Sequence, residues 1–345
     1  MRALSVVGGR SNLVQLAPVA RALGQAPDVE HLTVHAGRHD SPELAAAIAE
    51  LELRPVQFHL EVGEGSDGVQ IGLMLQRLEP ALAELQPDVV LAYGDDRAAA
   101  AAALAASTLR VRFGHVEAGL RCGDGAGGET MPRVVSDVLA DVLFVPSRDA
   151  IGALKAEGVA EERIQFVGSV RIDALCWALA RAPQVDAGAY VATSLHEPPS
   201  EIVQALGELD RRVPVRSAPA GYVERMAHAA GAALVVTDAD DLQEETSFLG
   251  IPCITLRSNT DHPATCQHGT NRLVAAQGAT LLAAANRALA RRAPVRPVLE
   301  RWDGRAAERI ARVLCDGADF PSERESPVAA AASRGRRTTA LPQMA

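Results

Sequence analysis

Strand-like and helix-like stretches alternate along this chain, which predicts an α/β protein of two doubly wound, Rossmann-like domains with a cleft between them. Three observations carry that prediction. Short runs rich in Val, Ile, Leu and Phe recur between longer Ala/Leu/Arg stretches of helical spacing, the pattern of a parallel sheet covered on both faces. The alternation loosens near 170–188 and then restarts. With 345 residues, 48% of them hydrophobic, the chain is long enough for two cores.

The elements follow in order. ALSVVGG (3–9) reads as a buried strand whose glycine pair leads into the helix LVQLAPVARALGQ (13–25). LTVHAG (32–37) is the next strand, SPELAAAIAELEL (41–53) the next helix and VQFHL (56–60) a third strand. DVVLAYG (88–94), VRFGHV (111–116), DVLFVPS (141–147) and IQFVGS (164–169) complete the first half. YVATSLHEP (190–198), ALVVTDAD (233–240) and PCITLRS (252–258) supply strands to the second. The predicted boundaries are 1–170 for the first domain and 171–315 for the second. Residues 316–345 turn to Pro, Ser, Arg and Ala and read as a disordered tail.

Composition excludes several classes. A net charge of −9 with interspersed signs argues against a nucleic-acid surface. The Ala-rich runs fall short of the ~20 strongly apolar residues of a membrane span. Met1 leads directly into strand-like sequence, so no secretory leader is expected. The five cysteines lack metal-ligand spacing, which suggests reduced thiols, a cytoplasmic protein and no metal. Cys122 has no adjoining base and reads as a non-nucleophile.

Ligands of doubly wound sheets meet the loops at the carboxyl ends of strands, and the chemically suggestive residues fall there. Gly8 and Gly9, with Arg10, Ser11 and Asn12, open a helix: either a ligand meets the backbone and the helix N-terminus, or the pair makes only a tight turn. Of Asp95 and Asp96, one can act on a substrate while the other, more naturally Asp96, caps the following helix. His115, Glu117, Arg121, Asp124 and Glu129 gather carboxylates and cations, which suits either acid–base work or a salt-bridged loop. His196 lies just after the first strand of the second half, where either a structural or a cleft-facing role is open.

Together these segments resemble one family. HVEAGLR (115–121), LHEP (195–198), LQEETSFLGIP (242–252), RSNTDHP (257–263) and GTNRLV (269–274) are similar, in content and order, to UDP-N-acetylglucosamine 2-epimerases. GGRSNLVQLAPV (8–19) resembles that family's opening segment and DGRAAERI (303–310) its closing helix. The resemblance implies two Rossmann-like domains of glycosyltransferase-B type closing over a UDP-sugar. It implies inversion at C2 of UDP-N-acetylglucosamine to the manno epimer, by UDP elimination and re-addition through a 2-acetamidoglucal. No cofactor is implied, and a homodimer is. The matching catalytic positions are Asp95, Glu117, Glu129 and His196. Arg10, Arg121, Gln243, Glu244 and Arg257 match substrate-binding positions. The alternatives are an epimerase-like binding or partner protein, an enzyme on another nucleotide sugar, including a sugar-releasing hydrolase, and a glycosyltransferase.

Departures from the family's pattern cluster at the nucleotide end. Its DSGGxQEE appears here as Asp238-Ala239-Asp240-Asp241-Leu242-Gln243-Glu244-Glu245. Two carboxylates at a helix N-terminus are expected to satisfy its dipole themselves and to repel a diphosphate. Glu197 replaces an arginine, and Asp261-His262-Pro263-Ala264 stands where the family has ERPE. After ELDRR (208–212) the chain reads as running straight to a helix at Val223, without a strand–helix unit the family carries. Gly37-Arg38-His39-Asp40-Ser41 is an altered form of the family's regulatory motif, which argues against allosteric activation.

Overall fold

The computed structural model describes residues 1–122, 130–182, 188–290 and 297–316. The first domain runs β1 (Arg2–Val7), α1 (Arg10–Gln25), β2 (Glu30–His35), α2 (Pro42–Glu50), β3 (Phe58–His59) and α3 (Asp67–Leu85). It continues with β4 (Val89–Tyr93), α4 (Arg97–Leu109), β5 (Arg112–Val116), α5 (Thr130–Leu139), β6 (Val142–Val145), α6 (Arg148–Ala156) and β7 (Ile164–Phe166). Then α7 (Val170–Arg181) leads to β8 (Val191–Ser194), α8 (Ser200–Asp210), β9 (Val215–Ser217), α9 (Tyr222–Gly231) and β10 (Leu234–Thr237). The chain closes with α10 (Asp241–Leu249), β11 (Cys253–Thr255), α11 (Pro263–Gln267), β12 (Asn271–Leu273), α12 (Gly278–Ala290) and α13 (Ala306–Asp316).

Two parallel sheets result. The first has seven strands in the order β3-β2-β1-β4-β5-β6-β7, the second five in the order β12-β11-β10-β8-β9. In β1, Leu4 and Val6 pack into one apolar cluster and Ala3 and Val7 into another, so both faces are covered. This is why the strand reads as a continuous apolar run. β4 alternates in the same way, Val90 and Ala92 against Val89, Leu91 and Tyr93. One cluster is shared between the halves: Leu13 and Leu16 of α1, Val170 and Leu175 of α7, Tyr222 and Met226 of α9, and Ile310 and Leu314 of α13. The closing helix α13 therefore packs back against α1 of the first domain and α7.

Asp173 fixes that return, its carboxylate accepting from the amides of Ala306 (3.1 Å) and Ala307 (2.7 Å) at the start of α13. Gly168 is required just before α7. It sits at φ +90°, and a Cβ there would lie 2.0 Å from the Arg301 carbonyl oxygen.

Two local expectations change. VQFHL supplies only the two-residue strand β3. The stretch expected to run straight to a helix instead contains the short edge strand β9, paired in parallel with β8, and the helix starts at Tyr222. The expected tail lies almost wholly outside the described residues.

Candidate active site

Both sheets place their switch points at the same cleft. In the first, order reverses between β1 and β4, so the loops after Val7 and Tyr93 open toward a ligand; in the second, it reverses between β8 and β10. A cavity of about 290 Å³ lies between the domains. Gly9, Arg10, Ser11, Asp95, Glu117 and Arg133 line it from the first domain, with Arg171 of α7 and Asp240, Asp241, Asp261 and His262 from the second.

The glycine pair divides its tasks. A Cβ on Gly8 would lie 2.1 Å from the Asp96 carboxylate, whereas Gly9 has nothing within 4 Å. Gly8 thus makes room for a neighbouring side chain, and Gly9 is the open position. The amides of Gly8 and Gly9 both donate to Asn12 Oδ1 (3.3 and 3.0 Å), so the first loop supplies its own acceptor. Asp96 caps α4 by accepting from the Ala99 amide (3.0 Å). Asp95 is left to the cleft, paired with Arg133 at 3.0 Å.

Glu117 is the most unusual residue here. It adopts φ +65° directly after β5, a left-handed conformation that glutamate rarely takes. Its side chain is buried; Oε1 accepts from the Val170 amide (3.1 Å), and Oε2 has no hydrogen-bond partner. Burial, then the nearby charge of Glu244, pushes its pKa well above the carboxylate range. His115 behind it is locked between Asp137 Oδ1 (2.6 Å) and the Gly94 carbonyl (2.7 Å), which fixes the strand end.

Across the cleft the acidic loop is neutralised rather than free. Asp240 stands at the N-cap of α10 without a side-chain cap hydrogen bond, and Asp241 lies in the helix's first turn. Asp240 pairs with Arg257, and Asp241 lies 3.8 Å from Arg171. Arg171 also donates to Ser11 Oγ at 2.5 Å. Arg133 joins the domains, holding Asp95 and, at 2.5 Å, Asp261. His262 lies 3.5 Å from Glu244; burial alone would lower its pKa, but Glu244, Asp240 and Asp261 raise it to about 9.

The remaining sequence candidates spread out. Gln243 is buried and committed to Asp240, Thr260 and Asn271, and Glu244 to Ser169 and His262. Arg10 reaches the Ala220 carbonyl of the second domain and Glu50 at 3.6 Å. Arg121 does not line the cavity: Asp137 and Glu157 hold its guanidinium, each at 2.8 Å. His196 is exposed, with Nδ1 3.1 Å from Asp238, and does not line it either. Glu129 and Asp124 lie outside the described residues. In the segment 37–41, Arg38 pairs with Asp40 and His39 with Glu61 beyond it, each at 2.7 Å.

Sequence reasoning gave no role to Arg133, Arg171 or Ser169. A charged residue between Val170 and Ile172 at the start of an apolar helix was the available signal for Arg171. Nothing in the sequence marked Ser169.

Two Rossmann-like domains closing on a cleft, with a strained buried carboxylate facing balanced arginines and acids across it, define a glycosyltransferase-B-type fold. The profile of the family described as UDP-N-acetylglucosamine 2-epimerase matches residues 21–201 and 191–315, and the chain belongs to that family. A UDP-N-acetylglucosamine 2-epimerase homolog from Methanococcus maripaludis is 31% identical, over 79% of this chain and 88% of its own. A UDP-2,3-diacetamido-2,3-dideoxy-D-glucuronate 2-epimerase from Pseudomonas aeruginosa is 29% identical, over 80% and 89%. The UDP-N-acetylglucosamine 2-epimerase of Methanocaldococcus jannaschii is 29% identical; its structure in complex with UDP-GlcNAc and UDP superposes with a TM-score of 0.83, covering 92% of this chain and 100% of that one. Among the described residues no helix is long and apolar enough to cross a membrane.

Proposed function

We propose that this protein interconverts UDP-N-acetylglucosamine and UDP-N-acetylmannosamine, eliminating UDP to give a 2-acetamidoglucal and adding it back on the inverted sugar. The observation that carries this reading is Glu117: a buried carboxylate in a strained conformation, with one oxygen unpartnered. A C2 proton beside no carbonyl is weakly acidic, so a positioned carboxylate must remove it as the phosphate leaves, and a second group must return one to the opposite face. Asp95 and Glu129 are the candidates for that second group. The departing UDP must stay bound to recombine, which asks for preorganised cations. Arg10, Arg133 and Arg171 line the cavity, and in our reading they exchange their present carboxylate partners for phosphate oxygens. A homodimer joined through the first domain belongs to the same reading.

Incubation with UDP-N-acetylglucosamine in D2O, followed by proton NMR, tests the reading. Deuterium at C2 with a growing manno signal is the expected result. Free UDP with N-acetylmannosamine would move the protein to sugar-releasing hydrolysis. The absence of exchange with this or another UDP-sugar would favour the binding-partner alternative.

A further inference from the structure

His262 and Glu117 belong to different domains, yet a short polar chain joins them. Ser169 Oγ lies 3.5 Å from Glu117 Oε1 and 3.0 Å from Glu244 Oε2, and Glu244 Oε1 lies 3.5 Å from His262 Nδ1. Ser169, Glu117 and Glu244 are each at most 2% exposed, and His262 is 8% exposed where it borders the cavity. From the surrounding elements, Glu244 of α10, Asp240 and Asp241 at its start, and neighbouring Asp261 face the imidazole with negative charge. Glu117 acts on it from the turn after β5, while Arg133 of α5 and Arg171 of α7 sit around the same cavity.

We propose that His262 is the proton-exchanging end of a relay, Glu117–Ser169–Glu244–His262, which sets whether Glu117 is acid or base. This rests on the epimerase reading for its use, though not for its existence. In the resting state Glu117 carries a proton, Glu244 is ionised and His262 is an imidazolium. His262 releases one proton into the cavity. The Glu117 proton then passes to Ser169 Oγ as the serine's own proton passes to Glu244, and the imidazole turns the nitrogen left bare by its release toward Glu244 and takes that proton. One proton has moved from Glu117 to the cavity, leaving an ionised Glu117 able to take the C2 proton; the reverse sequence reloads it.

The test follows the imidazole of His262 by NMR of histidine-labelled full-length protein across pH. The wild-type midpoint is expected at least one pH unit above the ordinary 6.5, and Glu244→Gln, nearly isosteric, is expected to bring it down by at least that much. Glu117→Gln should lower it by about half a unit or more in the wild-type and the Ser169→Ala background alike, because the midpoint reports charge coupling and leaves the path to the turnover measurements. A midpoint near 6.5 removes the imidazolium resting state and overturns the relay whether or not the protein turns over sugar. In a protein that does epimerise, Ser169→Ala and His262→Gln should each slow turnover about tenfold with little change in KM and displace the pH profile. Wild-type turnover and an unchanged profile in both would equally overturn it. If the midpoints behave as expected while wild type shows no exchange at C2, the epimerase reading falls and the coupling stands.

Discussion

The two lips of the cleft have solved opposite problems. On the first-domain side, the turn after β5 keeps HVEAGLR and holds Glu117 buried and partly unpartnered, so its environment works against ionisation. On the second-domain side, the loop before α10 has gained carboxylates, and each faces an arginine: Asp240 meets Arg257, Asp241 meets Arg171 and Asp261 meets Arg133. One lip leaves a buried group unsatisfied; the other balances its carboxylates against arginines. An unmatched buried carboxylate is costly and persists where the surrounding structure enforces it. A paired one is a reservoir of cations that an anionic ligand can claim.

The sharpest way to break this comparison is at the first lip. Glu117→Gln is expected to reduce turnover by about 10²–10⁴-fold, the usual weight of one acid–base group, with the folded circular-dichroism spectrum retained. A variant that keeps wild-type turnover would remove Glu117 from the chemistry.

Stability against pH gives the next effect. Glu245 is fully buried with both carboxylate oxygens unpartnered, and burial raises its pKa to about 8. A carboxyl raised in this way contributes most below its unfolded pKa of 4.5, and the contribution is lost as pH rises through 8. His262, raised to about 9, contributes below 6.5 and loses its share as pH rises through 9. Glu245 lowers the wild-type Tm between pH 4.5 and about 8 and His262 between pH 6.5 and about 9, so both act between 6.5 and 8. Glu245→Gln is expected to flatten that slope and to gain about 1–3 kcal/mol at pH 9 relative to wild type, read by thermal unfolding at several pH values. A slope as steep as wild type would show that another group sets it.

At the second lip, Asp241→Gly leaves Arg171 without this acidic neighbour. UDP binding measured by calorimetry is expected to tighten about three- to tenfold, since the freed guanidinium can meet phosphate. Unchanged or weaker binding would place the phosphates elsewhere. The smallest effect is expected at His196, exposed and paired with Asp238. His196→Ala should leave the Tm within about 0.5 kcal/mol of stability, while weakening UDP binding a few-fold if phosphate reaches that strand end.

Much of this architecture was legible beforehand because it depends on local rules. Parallel strands buried on both faces are largely apolar, so β1, β4 and β6 stood out as runs. Short edge strands such as β3 and β9 bury little on either face, so their sequence carried little signal. At the site, Asp95 and Glu117 could be found because their strand-end positions and motif coincide. Arg121 shares that motif, yet its charge is absorbed by Asp137 and Glu157. Arg171 and Ser169 escaped notice because their importance comes from partners 160 and 75 residues away in the chain.

By itself, then, the sequence determined the alternation of strands and helices, the two-domain division of labour it implies and the carboxylate-rich turn after β5. These follow from side-chain period, backbone propensity and the chemistry of individual residues. Only the tertiary structure decided that the acidic loop is neutralised, that Arg133 spans both domains and that His262 stands at the far end of a polar chain from Glu117. Charges interact through distance and burial, and both are fixed when the two sheets are packed against a common set of helices.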